Sequence, residues 1–576
     1  MKFLSKYLFK YKGILILNIV GIIGFIVAEL GIPSIVARIV DKGIVHNDVA
    51  FMKSMLQVLL LIALCGGIGR VILAYCGARM SSNVVRDVRS DIFVKTQSYS
   101  PQEYNYFGIS SMITRTNPDA YMLMQFTNML MRTGFLTPVM MISSFFMVIK
   151  TSMNLAMVII GCLPFVVFSI YILAKLSGPL SSKQQKEMDN LNRITRENIT
   201  GVRVIRAFRK REFEANRFGK TSSDYTRIAK KLFKLMSIGQ PLFFLILNCG
   251  GLLIYWVGSN MIHVGTLQVG QLMAFSEYMF HALFSLMLFS NMFMMYPRAK
   301  VSATRIEEML DVEVAIKNPK HPIMHGIEDT TLVFDDVSFA YPDGELPVLE
   351  HISFEASKGE TIAFIGSTGS GKSTLINLIP RFYDVSKGRI LIDGVNVKDY
   401  DITTLRHKIG FIPQKALLFS GTIQENIQYG KHDATMDEIV ESSKVANAYS
   451  FIQEKPKQFA DYIAESGTNV SGGQKQRLSI ARAVVRKPEI YIFDDSFSAL
   501  DYKTDAQVRQ NLQKETQHAI TLIVAQRVSS IMHADQIIVL NDGKIIGKGS
   551  HKELLKSCEV YQEIARSQLS EKELMQ

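Results

Sequence analysis

Six long apolar runs crowd the first half of this chain and none follows in the second, so one polypeptide has to fold in two different solvents. The candidate membrane spans are residues 14–40, 55–78, 135–150, 155–176, 241–262 and 272–296, set against the roughly 20 residues a helix needs to cross hydrocarbon. The third is short and bounded by Lys150. Leu, Ile, Val, Phe and Met dominate up to about Tyr296, and from about Glu328 the pattern changes to short strands and glycine-rich turns. The expected architecture is an α-helical six-span membrane domain over 1–310, a linker over 311–328 and a soluble α/β domain over 329–576.

The formal net charge of +12 could point to nucleic acid, but the Lys and Arg sit mostly between the apolar runs, where membrane topology explains them and no nucleic-acid partner is needed. The basic N-terminus and the stretches 79–95 and 183–234 carry the charge, while the surroundings of His46, Ser152 and His263 carry little. That asymmetry places both ends and both long connections in the cytoplasm of a multi-pass protein of the cell membrane. Of five cysteines, Cys65, Cys76, Cys162 and Cys249 lie inside apolar runs and Cys558 stands alone in the soluble part, with no metal-site spacing. The amphipathic N-terminus runs into the first span without a small-residue cleavage site, so it is expected to stay attached, with no peptidase domain ahead of it.

The connections between spans two and three and between spans four and five each hold roughly 55 to 65 residues, too many for turns. As helical extensions of about 25 residues, their arms would reach roughly 37 Å beyond the membrane. In the first, Arg115-Thr116-Asn117-Pro118-Asp119 reads as a helix start with Asn117 as cap and Pro118 at the first helical position. The second holds Glu197-Asn198-Ile199-Thr200-Gly201-Val202-Arg203-Val204-Ile205-Arg206-Ala207-Phe208. Force-carrying elements and ordinary solvated turns are both open readings. Glu29, Arg70, Glu277 and His281 interrupt the spans, and a mid-membrane charge costs about 3 kcal/mol even on insertion scales, so each is expected to face a partner or a wet cavity. Glu277 and His281, four apart, could pair on one helix face. The methionines of the sixth span (Met273, Met279, Met287, Met292, Met294, Met295) suit either a lining for varied apolar ligands or lipid-facing packing.

In the soluble half, the apolar run Thr361-Ile362-Ala363-Phe364-Ile365 leads straight into Gly366-Ser367-Thr368-Gly369-Ser370-Gly371-Lys372-Ser373-Thr374 and a helical pattern through Ile379. This is a phosphate loop in its strand-loop-helix setting. Glycines let backbone amides turn towards phosphates, Lys372 neutralises them and Ser373 can ligate magnesium. A second acidic strand, Ile490-Tyr491-Ile492-Phe493-Asp494, supplies a carboxylate of the kind that helps hold magnesium in such ATPases. About twenty residues upstream, Val470-Ser471-Gly472-Gly473-Gln474-Lys475-Gln476-Arg477 opens a helix that should run through Arg486, a second anion site at a helix N-terminus.

These last residues resemble the ATP-binding cassette signature, and the whole chain resembles an exporter half-transporter of that superfamily. The resemblance implies ATP and Mg2+ as cofactors, a second half-transporter as partner, and a geometry in which the signature of one subunit closes over ATP held by the phosphate loop of the other. It implies Tyr341 as the aromatic that stacks on adenine, Gln414 as the residue facing magnesium and the membrane domain, and Ser498-Ala499-Leu500-Asp501 as the loop before the next helix, with Asp501 part of the nucleotide site. Ala464-Glu465-Ser466-Gly467 resembles the exporter loop that contacts coupling helices, and the two cytoplasmic segments above look like the coupling-helix regions.

Two positions depart from the family pattern. Where the family has Glu to polarise the attacking water and His to contact the γ-phosphate, this chain has Asp495 and Gln526. Asp withdraws the carboxylate by roughly 1 Å, a misplacement that can cost about a hundredfold. Gln donates a hydrogen bond but neither carries charge nor shuttles a proton. The signature 471–474 is intact, so the chain spoils its own site while keeping what a partner needs. This resembles the degenerate-site subunit of bacterial heterodimeric multidrug exporters, whose partner would carry the normal Glu and His. The implied activity is ATP-driven alternating access that exports small amphipathic compounds. A lipid or peptide cargo, import of a metal chelate on the same fold, and a non-transporting ATP-dependent sensor are the alternatives.

Overall fold

The computed structural model describes residues 2–326 and 330–569, without the side chains of Ile170, Ser290, Asn291, Phe293 and Met294; Glu328 and the Met294 side chain, singled out above, therefore lie outside it. Two compact units form, one from Met1–Lys95 with Ser110–Val312, the other from Thr96–Ile109 with Glu313–Gln576.

Six helices among the described residues of the first unit are long and apolar enough to cross a membrane: Lys12–Ile44, Val49–Gln97, Ile109–Thr151, Met153–Thr200, Arg211–His263 and Val269–Phe289. Lipid offers backbone groups no hydrogen-bond partners, so a helix that satisfies its own is the form such runs take. The helices outrun the apolar stretches. A 49-residue helix such as Val49–Gln97 is about 75 Å long. The third exceeds the 135–150 reading by more than half its length, because Asn128, Arg132 and Thr133 lower the hydropathy without disturbing the backbone ladder.

The helix start expected at Asn117 is absent. Arg115–Asp119 is a widened π-turn inside a continuing helix, and Asn117 caps nothing. The wider ring makes room for Pro118, which has no N–H to donate and whose ring would crowd the carbonyl of a normal preceding turn. This segment packs inside the membrane unit instead. Asp119 accepts from Ser302 Oγ at 2.7 Å, and Arg115 Nη1 reaches Arg305 O at 2.5 Å and Glu308 at 3.3 Å. The pairing expected within the sixth helix is also replaced: His281 Nε2 lies 3.4 Å from Glu29 on the first span, not against Glu277. Glu29, Glu277 and His281 share one cavity, so Glu277 stays close to the pair that excludes it. The N-terminal helix Lys2–Lys10 buries Phe3, Leu4, Tyr7 and Leu8, and is tied to the second helix by Tyr7 to Asp91 at 2.7 Å and Lys10 to Asp87 at 2.6 Å.

The second long connection ends in the short helix Val202–Ala207, which breaks from the preceding helix at Gly201 and buries no residue. Below it, Arg217 and Glu197 pair at 2.7 Å and Asn198 donates to Glu214 at 2.9 Å, bracing the two arms.

The second unit contains the strands β1 (Thr331–Phe339), β2 (Leu349–Ser357), β3 (Thr361–Gly366), β4 (Lys387–Ile392), β5 (Val395–Asn396), β6 (Ile409–Ile412), β7 (Gly421–Thr422), β8 (Tyr462–Ile463), β9 (Ile490–Asp494), β10 (Ile520–Val524), β11 (Gln536–Asn541) and β12 (Lys544–Gly549). One sheet runs β12-β11-β3-β10-β9-β6, parallel except for β12; a second, antiparallel, runs β2-β1-β4-β5. β9 and β10 are apolar throughout apart from Asp494 and Thr521 because both of their faces are covered, as expected of strands inside a parallel sheet.

The first connection contributes the helix Pro101–Phe107 to this unit. Ser100 caps it, Pro101 occupies the first turn and Glu103 closes a capping box, accepting from the Ser100 N–H and hydroxyl at 2.6 Å each. The same carboxylate, 4% exposed, accepts the backbone N–H of Ala315 at 2.9 Å. Asn105 donates to Tyr383 Oη at 3.4 Å. The helix start in this connection is thus fifteen residues or more ahead of the one expected, and its signature, a serine followed by proline and, three positions on, glutamate, was present in the chain. Replacing Glu103 by Ala strands three donors, so Glu103→Ala should destabilise the detergent-solubilised protein by about 2 kcal/mol. An unchanged thermal midpoint would show that these bonds are dispensable.

Candidate functional site

β3, β10 and β9 are neighbours, and their register sets Phe364, Val524 and Asp494 side by side. All three strands run the same way, so the phosphate loop, Asp494 with Asp495, and Gln526 all emerge at the same edge of the sheet. Asp495 N donates to Val524 O at 2.9 Å and Ala525 N to Phe364 O at 3.1 Å, which extends the ladder one step past the strands. Asp495 holds a φ of 45°, a left-handed conformation uncommon outside glycine that aspartate adopts more readily than most residues.

The loop leaves β3 at Gly366, where a Cβ would sit 2.0 Å from Leu540 O, so no other residue fits. Ser367, Thr368 and Gly369 are exposed, Ser370 and Gly371 are buried, and the helix Lys372–Leu378 begins at Lys372. Lys372 Nζ turns back into the loop, donating to Gly366 O at 2.9 Å, Ser367 O at 2.6 Å and Ser370 Oγ at 3.1 Å. Burial lowers the lysine pKa, opposed by Asp495 and Asp494. An ammonium 9% exposed and held by neutral oxygens is a site that an anion would relieve.

Ser373 Oγ donates to Asp494 Oδ1 at 3.0 Å. A hydroxyl beside a carboxylate is a pair of hard oxygen donors of the type magnesium takes. Burial raises the Asp494 pKa, partly offset by the Ser373 hydrogen bond. Gln414, exposed, donates through Nε2 to Asp495 Oδ2 at 3.1 Å, and Gln476 Nε2 holds the neighbouring Pro413 carbonyl at 3.3 Å. Tyr341 meets the loop helix through its hydroxyl, 3.0 Å from Thr374 Oγ1, with Tyr383 edge-on to its ring.

The signature residues assemble apart from this group. Ser471 caps the helix Gly472–Val484, accepting from Gln474 N at 3.2 Å while Gln474 Oε1 accepts from Ser471 N at 3.0 Å. That helix ends before Arg486, short of the sequence expectation. Gly473 lies against the loop before Asp501: a Cβ there would be 3.4 Å from Ala499 O. Asp501 caps the helix Tyr502–Glu515 through Thr504 N at 3.0 Å, and the Thr504 side chain and then this backbone bond lower its pKa. Among the described residues no hydrogen bond or ion pair joins 471–474 or Asp501 to the phosphate loop. The structure therefore brings together the loop, Tyr341, Gln414, Asp494 and Asp495, and leaves the signature as a separate exposed surface.

Comparison with known proteins places this arrangement. The chain matches the family described as ABC transporter transmembrane region over residues 15–287 and that described as ABC transporter over residues 349–498. An uncharacterized ABC transporter ATP-binding protein of Mycobacterium tuberculosis is 36% identical over 549 residues, covering 94% of this chain and 93% of the relative. The chain belongs to the ABC transporter family. It is an ABC half-transporter, a multi-pass membrane protein whose ATP-binding domain makes it an ATPase coupled to transport, and half-transporters of this family commonly dimerise. A putative multidrug export ATP-binding/permease protein of Staphylococcus aureus is 31% identical, with 85% of each chain covered. The structure of a bacterial Atm1-family ABC exporter with ATP bound shares the fold, with a TM-score of 0.81 at 22% identity over 97% of this chain and 99% of that one.

One element of this ABC half-transporter gave no sign in its sequence. Gln526 is exposed, and its loop is held by the C-terminal helix Glu559–Gln568: Gln568 donates to Gln526 O at 2.9 Å and accepts from Val528 N at 2.8 Å. Forty-two residues separate the partners, so only the fold joins them. Gln568→Ala should speed hydrogen exchange at the Val528 amide about fivefold, the equivalent of about 1 kcal/mol; no change would show the loop held by other means. The raised Asp494 pKa gives a second expectation. Its ionised form costs stability, a cost absent below the ordinary carboxylate range and complete above the raised value. Asp494→Asn should therefore raise the thermal midpoint of nucleotide-free protein at neutral pH, with the gain disappearing in acid.

Proposed function

We propose that this half-transporter exports small amphipathic compounds of the multidrug type across the cell membrane as one subunit of a heterodimer, and that its own phosphate-loop site turns over slowly. The observation that carries this reading is the state of the two departing positions. Asp495, short by one methylene, has Oδ2 engaged by Gln414 at 3.1 Å, and Gln526 offers an exposed amide where the family has an imidazole. The signature residues Ser471, Gly472, Gly473 and Gln474 keep the helix-capping arrangement that a partner's nucleotide would meet. A partner with intact Glu and His would complete one fast site and leave this one as a slowly exchanging clamp.

In this reading the membrane domain spans 1–310, the linker 311–328 and the nucleotide-binding domain 329–576, with the N-terminus and that domain cytoplasmic. Gly366, Ser367, Thr368, Gly369, Ser370, Gly371, Lys372 and Thr374 cradle the phosphates, Tyr341 stacks on the base, and Ser373, Asp494 and Gln414 hold magnesium. When bound, magnesium ATP supplies the free energy that draws two such domains together. Lys372 would exchange its loop carbonyls for phosphate oxygens, and Asp495 and Gln526 would orient water weakly. The tip at Val202–Ala207 buries none of its residues and exposes apolar side chains between Arg203 and Arg206, Val204 by 60% and the adjoining Phe208 by 72%, which supports a second subunit that covers them. The multidrug export name of the Staphylococcus aureus relatives supports the cargo class.

Purified alone, the chain should hydrolyse ATP roughly a hundredfold more slowly than a site with Glu, and Asp495→Glu combined with Gln526→His should recover at least about tenfold. Ordinary transporter turnover by the unaltered single chain would sink the degenerate-site reading. Inside-out vesicles carrying the chain with its partner should accumulate an amphipathic dye in the presence of ATP; loss of dye from them would reverse the direction.

A further inference from the structure

The membrane unit contains a cavity of about 510 Å³ between the second and third spans, with Leu288 of the sixth on its wall. Arg70 and Arg132 enter it, joined by the amides of Gln125 and Asn128, while Leu73 and Leu136 are among its apolar walls. No Asp or Glu lines it, and among the described residues no carboxylate lies within ion-pairing distance of either arginine. Guanidinium stays charged at any pH a cell meets, so two exposed positive charges share a wall of mixed polar and apolar side chains, with no counter-charge among the described residues.

Both arginines are seated. The Arg70 guanidinium lies 4.9 Å from the centre of the Phe25 ring, a cation–π contact that leaves its N–H donors available to an anion. Arg132 lies along the second span at Gly77, where a Cβ would come within 2.7 Å of Arg132 Cγ and 3.1 Å of Cδ. Gly77 is two turns beyond Arg70 on one helix face, so the missing side chain lays the Arg132 stem on the face that carries Arg70. A second cavity in this unit, about 390 Å³, has the opposite character: it holds Glu29 and Glu277, and His281 already faces Glu29 at 3.4 Å.

We propose that Arg70 and Arg132 form a binding site for the anionic head of an amphiphile, a carboxylate, sulfonate or phosphate on an apolar body, and that the exported compounds are amphipathic anions. The head would take charge-assisted hydrogen bonds from the two guanidiniums, and the body would lie on the leucines. The binding site stands on this cavity alone; that its ligand is cargo rests on the efflux reading above.

The test uses the full-length chain in phosphatidylcholine nanodiscs, with a dansyl-labelled dodecanoate as probe and its trimethylammonium counterpart of equal chain length as control. Wild type should bind the carboxylate probe in preference to the cationic one, and Arg70→Gln and Arg132→Gln should each weaken the carboxylate probe about tenfold without weakening the cationic one. Arg70→Lys and Arg132→Lys keep the charge and should retain most of the binding, which separates charge from folding. Adding phosphatidylglycerol to the discs distinguishes the sources. Displacement of the probe identifies the occupying head as a lipid's, and undisturbed binding identifies a free amphiphile; either supports an anion site. Equal carboxylate binding by the double Gln variant, or preference of the wild type for the cationic probe, would overturn the proposal. Anion binding in the discs, with no ATP-driven uptake of the probe by inside-out vesicles that carry the chain with its partner, would keep the site and remove the efflux reading instead.

Discussion

The nucleotide site of this protein depends on three neighbouring parallel strands that stop at the same level. β10 pairs with β9 over all five of its residues and with β3 over Thr361 to Phe364, and the residues that follow β9 and β10 continue the ladder for one more step. Backbone pairing therefore fixes where Gly366, Asp494, Asp495 and Gln526 begin, and side chains need only reach from there. The central strands are covered on both faces, which makes their apolar sequence obligatory. The chemistry is held by side chains that the strands deliver to one edge, the usual place for a ligand in an open parallel sheet.

Charge then decides what this edge is suited to. Lys372 and Asp494 both pay a desolvation penalty, in opposite directions, and each is only partly compensated within the chain. Lys372 turns to backbone oxygens and Asp494 to a hydroxyl. A phosphate and a divalent cation answer these two needs together. The adjoining Asp495 is tied to Gln414 and holds a left-handed backbone conformation.

The membrane unit obeys a different constraint. Lipid compels each span to satisfy its own backbone, and the helices so formed continue past the apolar windows, up to 53 residues in Arg211–His263. Polar residues inside them are tolerated where they find each other or a cavity. Glu29 finds His281, Asp119 finds Ser302, and Arg70 finds the ring of Phe25. The two long connections end differently. Pro101–Phe107 is incorporated in the second unit through the buried Glu103, whereas Val202–Ala207 remains exposed.

The chain by itself determined the six spans, the phosphate loop between strand and helix, the second acidic strand and the signature at a helix start, because each is a local pattern: hydropathy over a window, glycine spacing, or a capping residue ahead of a helix. It also carried a correct helix start at Ser100, overlooked in favour of Asn117, whose proline is absorbed by a π-turn that no local rule distinguishes from a first helical turn. What only the tertiary structure decided were pairings across distance. His281 chooses Glu29 over Glu277, Gln568 holds the loop of Gln526, Gln414 meets Asp495, and Arg132 lies on the helix of Arg70. Side chains four apart on a helix are always neighbours in principle, but a closer partner from another element wins when packing brings it there, and packing is set by the whole chain at once.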